Sequence, residues 1–76
     1  MKDLLTYIVQ SLVDKPEEVS INEREQSGET VYEVRVADGD MGKVIGKQGK
    51  IAKAIRTVVK AAASIENKRV SVDIVQ

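Results

Sequence analysis

Apolar residues recur along this chain in two rhythms, and the switches between them mark its elements. Leu4, Leu5, Ile8, Val9, Leu12 and Val13 follow a spacing of three and four, which predicts a helix with one apolar stripe. Asp3 stands just ahead of that stripe as a candidate N-cap, and Pro16 biases Lys15 out of the helical region, so the helix should stop near Asp14. The period then shortens to two. Val19-Ser20-Ile21 opens a first strand that continues through polar Asn22–Gln26, and Gln26-Ser27-Gly28-Glu29 reads as a turn. Thr30–Ala37 is the clearest strand, with Tyr32, Val34 and Val36 on one face and Glu33 and Arg35 on the other. The pair predicts an antiparallel hairpin, with Glu23, Glu25, Glu29 and Glu33 forming a solvated face.

The helical rhythm returns after Asp38-Gly39-Asp40, which breaks the strand and offers caps for a short helix over Met41–Ile45. Gly42 makes that helix intrinsically weak, and Gly46 can end it through a positive φ. A longer helix is expected from Gly49 or Lys50 to about Ile65. Ile51, Ile55, Val58, Val59 and Ala62 fall on one side of it, and Lys53, Arg56 and Lys60 on nearly the opposite side. The run Ala61-Ala62-Ala63 suits close helix packing, within the fold or against a second subunit. Asn67-Lys68 makes a turn, and in Arg69–Val75 the residues Val70, Val72 and Ile74 alternate with Ser71 and Asp73 as a last strand. The order helix, strand, strand, helix, helix, strand predicts one α+β domain over residues 1–76, a three-stranded sheet with the helices on one face. The last strand is expected to make the sheet mixed; the pattern leaves strand order open.

A chain of 76 residues buries only about 60% of its unfolded surface. It holds no cysteine and no histidine, so the core must be well-packed aliphatic, with no disulfide and no thiolate or imidazole metal site. The N-terminus lacks a signal layout, no run nears the roughly 20 apolar residues of a bilayer span, and the first helix has too little basic charge for a membrane surface. A cytoplasmic domain is expected. Charge changes the picture further. Twelve basic residues balance twelve acidic ones, yet Lys43, Lys47, Lys50, Lys53, Arg56 and Lys60 fall between positions 41 and 65, where no carboxylate occurs. A net charge of zero hides a polarised molecule.

That basic stretch is hinged on Gly46-Lys47-Gln48-Gly49. Glycines at both ends let a phosphodiester approach the main chain, and the following helix aims free N–H groups and its positive dipole end at that point. Lys47 and Gln48 would project as a cation and an amide donor, flanked by Lys43 and Lys50. A plain helix–helix turn needs no such charge, so the basic setting favours anion binding. A nucleotide P-loop does not fit: the glycine spacing from Gly42 is one residue short, and Gln48 stands where Ser or Thr must bind Mg²⁺. Without a cysteine nucleophile, a histidine base or a serine beside an activating partner, the chain offers no catalytic set, and no enzyme, cofactor or small-molecule substrate is expected.

The run V-I-G-K-Q-G-K-I-A-K-A-I-R resembles the signature of a KH domain, in which a G-x-x-G loop joins two helices. The element order resembles the type II, prokaryotic arrangement, and the resemblance spans the whole chain, most closely the small single-domain bacterial KhpA (YlqC) family. It implies a loop, Gly46 to Gly49, that clamps the backbone of single-stranded RNA, with about four nucleotides in an adjacent groove. It implies one groove wall from Val44, Ile45, Lys50 and Ile51 and another near Arg69–Val72, with Lys43 and Lys53 alongside. Where many KH domains carry a large aliphatic residue three positions after the second glycine, this chain has Ala52. An RNA-chaperone-like role is implied as well, through a homodimer or a heterodimer with a KhpB (Jag, EloR)-type KH protein. Single-stranded DNA would satisfy the same loop contacts. The alternative class is a protein-interaction or ribosome-docking module on the same fold, against which the basic arc and the lysine-bearing loop argue.

Overall fold

The computed structural model describes residues 1–75. Its elements are α1 (Lys2–Leu12), β1 (Ser20–Gln26), β2 (Glu29–Arg35), α2 (Met41–Ile45), α3 (Lys50–Ile65) and β3 (Val70–Ile74), with single 3-10 turns at Pro16–Glu18, Asp38–Asp40 and Lys47–Gly49. The sheet order is β1-β2-β3; β1 runs antiparallel to β2 and β3 parallel to it, so the sheet is mixed as expected. The element order is the one the type II KH resemblance implies. The hairpin closes on Ser27 and Gly28, at φ +52° and +78°. Two successive left-handed residues match the right-handed twist of the flanking strands.

One face of the sheet carries the core. Leu5 and Val9 of α1, Ile21, Tyr32, Val34, Val70 and Val72 of the sheet, Val44 of α2, and Ile55, Val59 and Ala63 of α3 pack into a single cluster. The opposite face has no helix over it; Val31, at the centre of the middle strand, is nonetheless buried there between Arg24 and Ser71. Pairing also separates the four glutamates. Glu23 and Glu25 sit opposite Tyr32 and Thr30 on the helix side, whereas Glu29 and Glu33 lie on the open side, so they form no single solvated face.

Three expectations about helix ends are corrected. Helix α1 begins at Lys2 with Met1 as its N-cap, which places Asp3 inside the first turn, where its charge still suits the dipole. It ends at Leu12, and Val13 is already extended. Asp40 makes no side-chain cap to α2. Its carboxylate, 3% exposed, instead accepts the backbone N–H of Asp14 at 3.2 Å and of Lys15 at 3.0 Å, with Lys43 Nζ at 3.4 Å. A long-range partner takes the cap residue because the non-helical chain just past α1 carries the Asp14 and Lys15 N–H groups, which must be satisfied. In α3 the buried stripe is Ala52, Ile55, Val59 and Ala63, rotated from the expected one, and Val58 is exposed. The sheet, not the sum of apolar positions, sets which side of the helix is covered.

Burial alone would raise the pKa of Asp40, but the Lys15 and Asp14 amides and the Lys43 ammonium outweigh it and hold the carboxyl below its ordinary 3.8. A lowered folded-state pKa stabilises the fold fully above the ordinary value, and that contribution is lost as pH falls below it. Asp40→Asn is therefore expected to lower the urea midpoint at pH 7, and its deficit relative to wild type should shrink as pH drops below 3.8. Urea melts at pH 7, 5 and 3 check this; a deficit independent of pH would mean the charge is not what holds the site.

Candidate nucleic-acid interface

Helix α2 is five residues long and could not persist alone. It is held by Val44, which is wholly buried, and by Lys43, whose Nζ lies 3.0 Å from an Asp14 carboxylate oxygen and 3.4 Å from Asp40. The Asp14 contact, then that to Asp40, pushes the Lys43 pKa up, so the ammonium is fixed as a cation. Both side chains expected at the groove are thus engaged inward: Val44 belongs to the core, and Lys43 is tied to α1. Ile45, the next residue, is 36% exposed beside the loop.

Gly46 ends α2 at φ +75° and ψ 175°, donating its N–H to the Gly42 carbonyl at 2.9 Å. A Cβ there would lie 2.6 Å from Ile51 Cγ1. Gly46 is glycine for two reasons, then: its backbone angle and the close approach of Ile51, which supplies the bulk beside the loop where residue 52 is alanine. Lys47, Gln48 and Gly49 make one 3-10 turn, with Gln48 at φ +57° and Gly49 at φ +75°. At Gly49 a Cβ would meet no atom within 4 Å. That side of the loop is open.

Helix α3 starts at Lys50 with no side-chain cap, so its positive end faces this opening undimmed by a carboxylate. Lys47, Gln48, Lys50 and Lys53 are exposed, and among the described residues no hydrogen bond or ion pair holds their side chains. Ile51, half-buried, joins them at the rim. The structure therefore gathers Ile45, the glycine loop, Lys50, Ile51 and Lys53 at one end of the molecule. Arg69 is not among them. It lies at the start of β3, beside the α3 C-terminus, and lines a cavity of about 460 Å³ with Glu23, Glu25, Tyr32 and Lys68.

Arg56 enters the picture in its place. Its Nε donates to the Val72 carbonyl at 3.1 Å, bridging α3 to β3. Helical position alone puts it on the basic face; only the packing of α3 against the strand reveals the bridge. Among the described residues no cluster of His, Cys, Asp or Glu could hold a metal ion, and no helix is long and apolar enough to cross a membrane.

Three comparisons bear on this arrangement. The family model described as "KhpA/KhpB, KH domain" matches residues 2–74. The "RNA-binding protein KhpA" of Clostridium perfringens is 60% identical over 75 residues, covering 99% of this chain and 100% of that protein. The protein of the same description from Chlamydia trachomatis is 50% identical over 76 residues, covering 100% of this chain and 97% of its own. Among solved structures, Aquifex aeolicus Era Y63A bound to GDP.AlF4- shares the fold at a TM-score of 0.65 and 17% identity, over 95% of this chain and 28% of that one.

The two glycines are expected to respond differently to a methyl group. Gly49→Ala should cost about 1 kcal/mol, the price of a left-handed residue in open space. Gly46→Ala adds a clash with Ile51 and should cost roughly twice that or more. Chemical denaturation of both variants checks the order.

Proposed function

This chain belongs to the KhpA/KhpB family of KH domains, and we propose that it binds single-stranded RNA without catalysis, through the Gly46–Gly49 loop and the groove beside it. The observation that carries the proposal is the open loop: Lys47 and Gln48 stand exposed and, among the described residues, unpartnered between two positive-φ glycines, at the uncapped start of a 16-residue helix. A phosphodiester placed there meets main-chain N–H groups, the helix dipole and the Lys47 and Lys50 ammoniums. Ile45 and Ile51 offer aliphatic surface to the bases, which suits a binder with only two tyrosines. One such site holds about four nucleotides, and backbone contacts dominate its affinity. A post-transcriptional or RNA-chaperone role in the cytoplasm accords with a grip whose affinity comes mainly from the backbone.

Replacing both Lys47 and Gln48 with Asp should leave circular dichroism native and nearly abolish binding of fluorescent single-stranded RNA, through repulsion at the phosphates. Wild-type binding should weaken steeply between low and physiological salt. Undiminished RNA binding by the folded double variant would remove the loop from the site. Binding by wild type that is indifferent to salt would favour the docking-module alternative.

Duplication of the site would raise avidity without new contacts, and α3 carries a surface suited to it. Ala54, Val58 and Ile65 recur at heptad-like spacing, Val58 being 48% and Ile65 88% exposed. Ala54 and Val58, with Ile8 and Leu12 of α1, border an apolar groove of about 520 Å³. Two copies of that stripe related by a twofold axis would cover each other, as would a related KhpB-type domain. Val58→Glu is expected to yield a folded monomer by sedimentation equilibrium, with RNA affinity reduced by the loss of the second site. A wild type that sediments as a monomer at tens of micromolar would sink this part of the reading.

A further inference from the structure

The sheet has two edge strands, β1 and β3, and the backbone of β3, the one packed against α3, alternates in what it offers. Thr30 N–H donates to the Arg69 carbonyl and Val75 N–H to the Val34 carbonyl, so the odd-numbered residues of β3 bond to β2. Val70, Val72 and Ile74 therefore turn their N–H and C=O groups away from β2, toward the side where α3 lies. A bare edge of this kind presents a donor and an acceptor to any base that reaches it. Here it is not bare. Arg56 Nε occupies the Val72 carbonyl, and Val70 and Val72 are 6% and 3% exposed. Arg56 itself is exposed, and among the described residues its guanidinium makes no other hydrogen bond. A base entering between α3 and β3 thus meets the remaining N–H groups of a guanidinium in place of a strand edge. At Val72 the wall therefore presents donors in front of its carbonyl.

We propose that Arg56 is a specificity-determining residue of the RNA groove, selecting a base with two adjacent acceptors on one edge. The inference rests on the RNA-binding reading of that groove. Cytosine presents N3 and O2, and guanine N7 and O6, each pair matching the guanidinium fork. Adenine sets its amino group beside every acceptor on its Watson–Crick and Hoogsteen edges, so one of its groups opposes an Arg N–H. Uracil alternates acceptor, donor, acceptor and fits less well. The bond to Val72 serves the selection twice, since it aims the side chain and removes the carbonyl that adenine's amino group would use. Lys53 and Lys60, one turn to either side, add charge but no fork.

The test compares two U-flanked single-stranded RNAs, one with a central CCCC and one with a central AAAA, by fluorescence anisotropy at physiological salt. Wild type is expected to favour the cytosine oligomer about fivefold or more. Arg56→Lys keeps the charge and the aliphatic stem but lacks the fork, so the ratio should fall toward one while low-salt affinity is retained. The Lys47→Asp/Gln48→Asp variant should weaken both oligomers alike. A wild-type ratio near one, or one that favours adenine, overturns the inference, and so does an unchanged ratio in folded Arg56→Lys. A merely structural Arg56 would lower the melting temperature or both affinities and leave the ratio alone. If folded wild type binds neither oligomer, the RNA reading itself fails and the inference goes with it.

Discussion

One buried carboxylate fixes where the helical layer sits. Asp40 lies at the junction of the sheet and α2, yet it accepts from two amides of the non-helical chain that follows α1. Leaving those donors unmade in a nearly enclosed site would be unfavourable, and so would leaving the charge unmatched. Lys43 resolves the second problem by reaching both Asp40 and Asp14. The consequence runs directly to the loop. With α1 pinned to the start of α2, and Val44 driven into the core, the direction in which α2 delivers the chain to Gly46 is set.

The same arrangement divides the lysines by role. Lys43 is bound to two carboxylates and stabilises the scaffold, whereas Lys47, Lys50 and Lys53 project without partners among the described residues. In sequence they form one basic run. In space the run is sorted: Lys43, beside Asp14 and Asp40, is paired, and the lysines from the glycine loop onward stay exposed. The zero net charge of the chain is therefore no guide to the potential at the loop.

Much of this was legible in the residues. The period-two stretches located all three strands, Ser27-Gly28 the hairpin, and Gly46 the end of α2, because each reports a local backbone requirement. The loop itself, with its positive-φ glycines, was readable for the same reason. What escaped depends on contacts distant in sequence. Asp40 has the form of a local cap but serves amides 25 and 26 residues away. The α3 stripe was misjudged at Val58 because that helix has two apolar sectors, and only one can face the sheet. Arg69 was placed at the groove as part of β3, but a strand that follows α3 by a short turn starts at the helix end opposite the loop.

Arg56 shows how far such packing can alter a site. An arginine seven residues past Gly49 is read from sequence as one more cation on a solvated face. Docked on β3, it caps the Val72 carbonyl on the edge strand that packs against α3. A strand edge left bare invites pairing with any extended chain. A guanidinium over it blocks that pairing and still leaves donors for a ligand. The two ends of the groove then differ in kind. On the proposed reading the glycine loop would act on phosphate, which every nucleotide carries, and Arg56 would face the bases, which differ. Affinity and selectivity would then reside in separate parts of a small domain, so either could change in the course of evolution without dismantling the other.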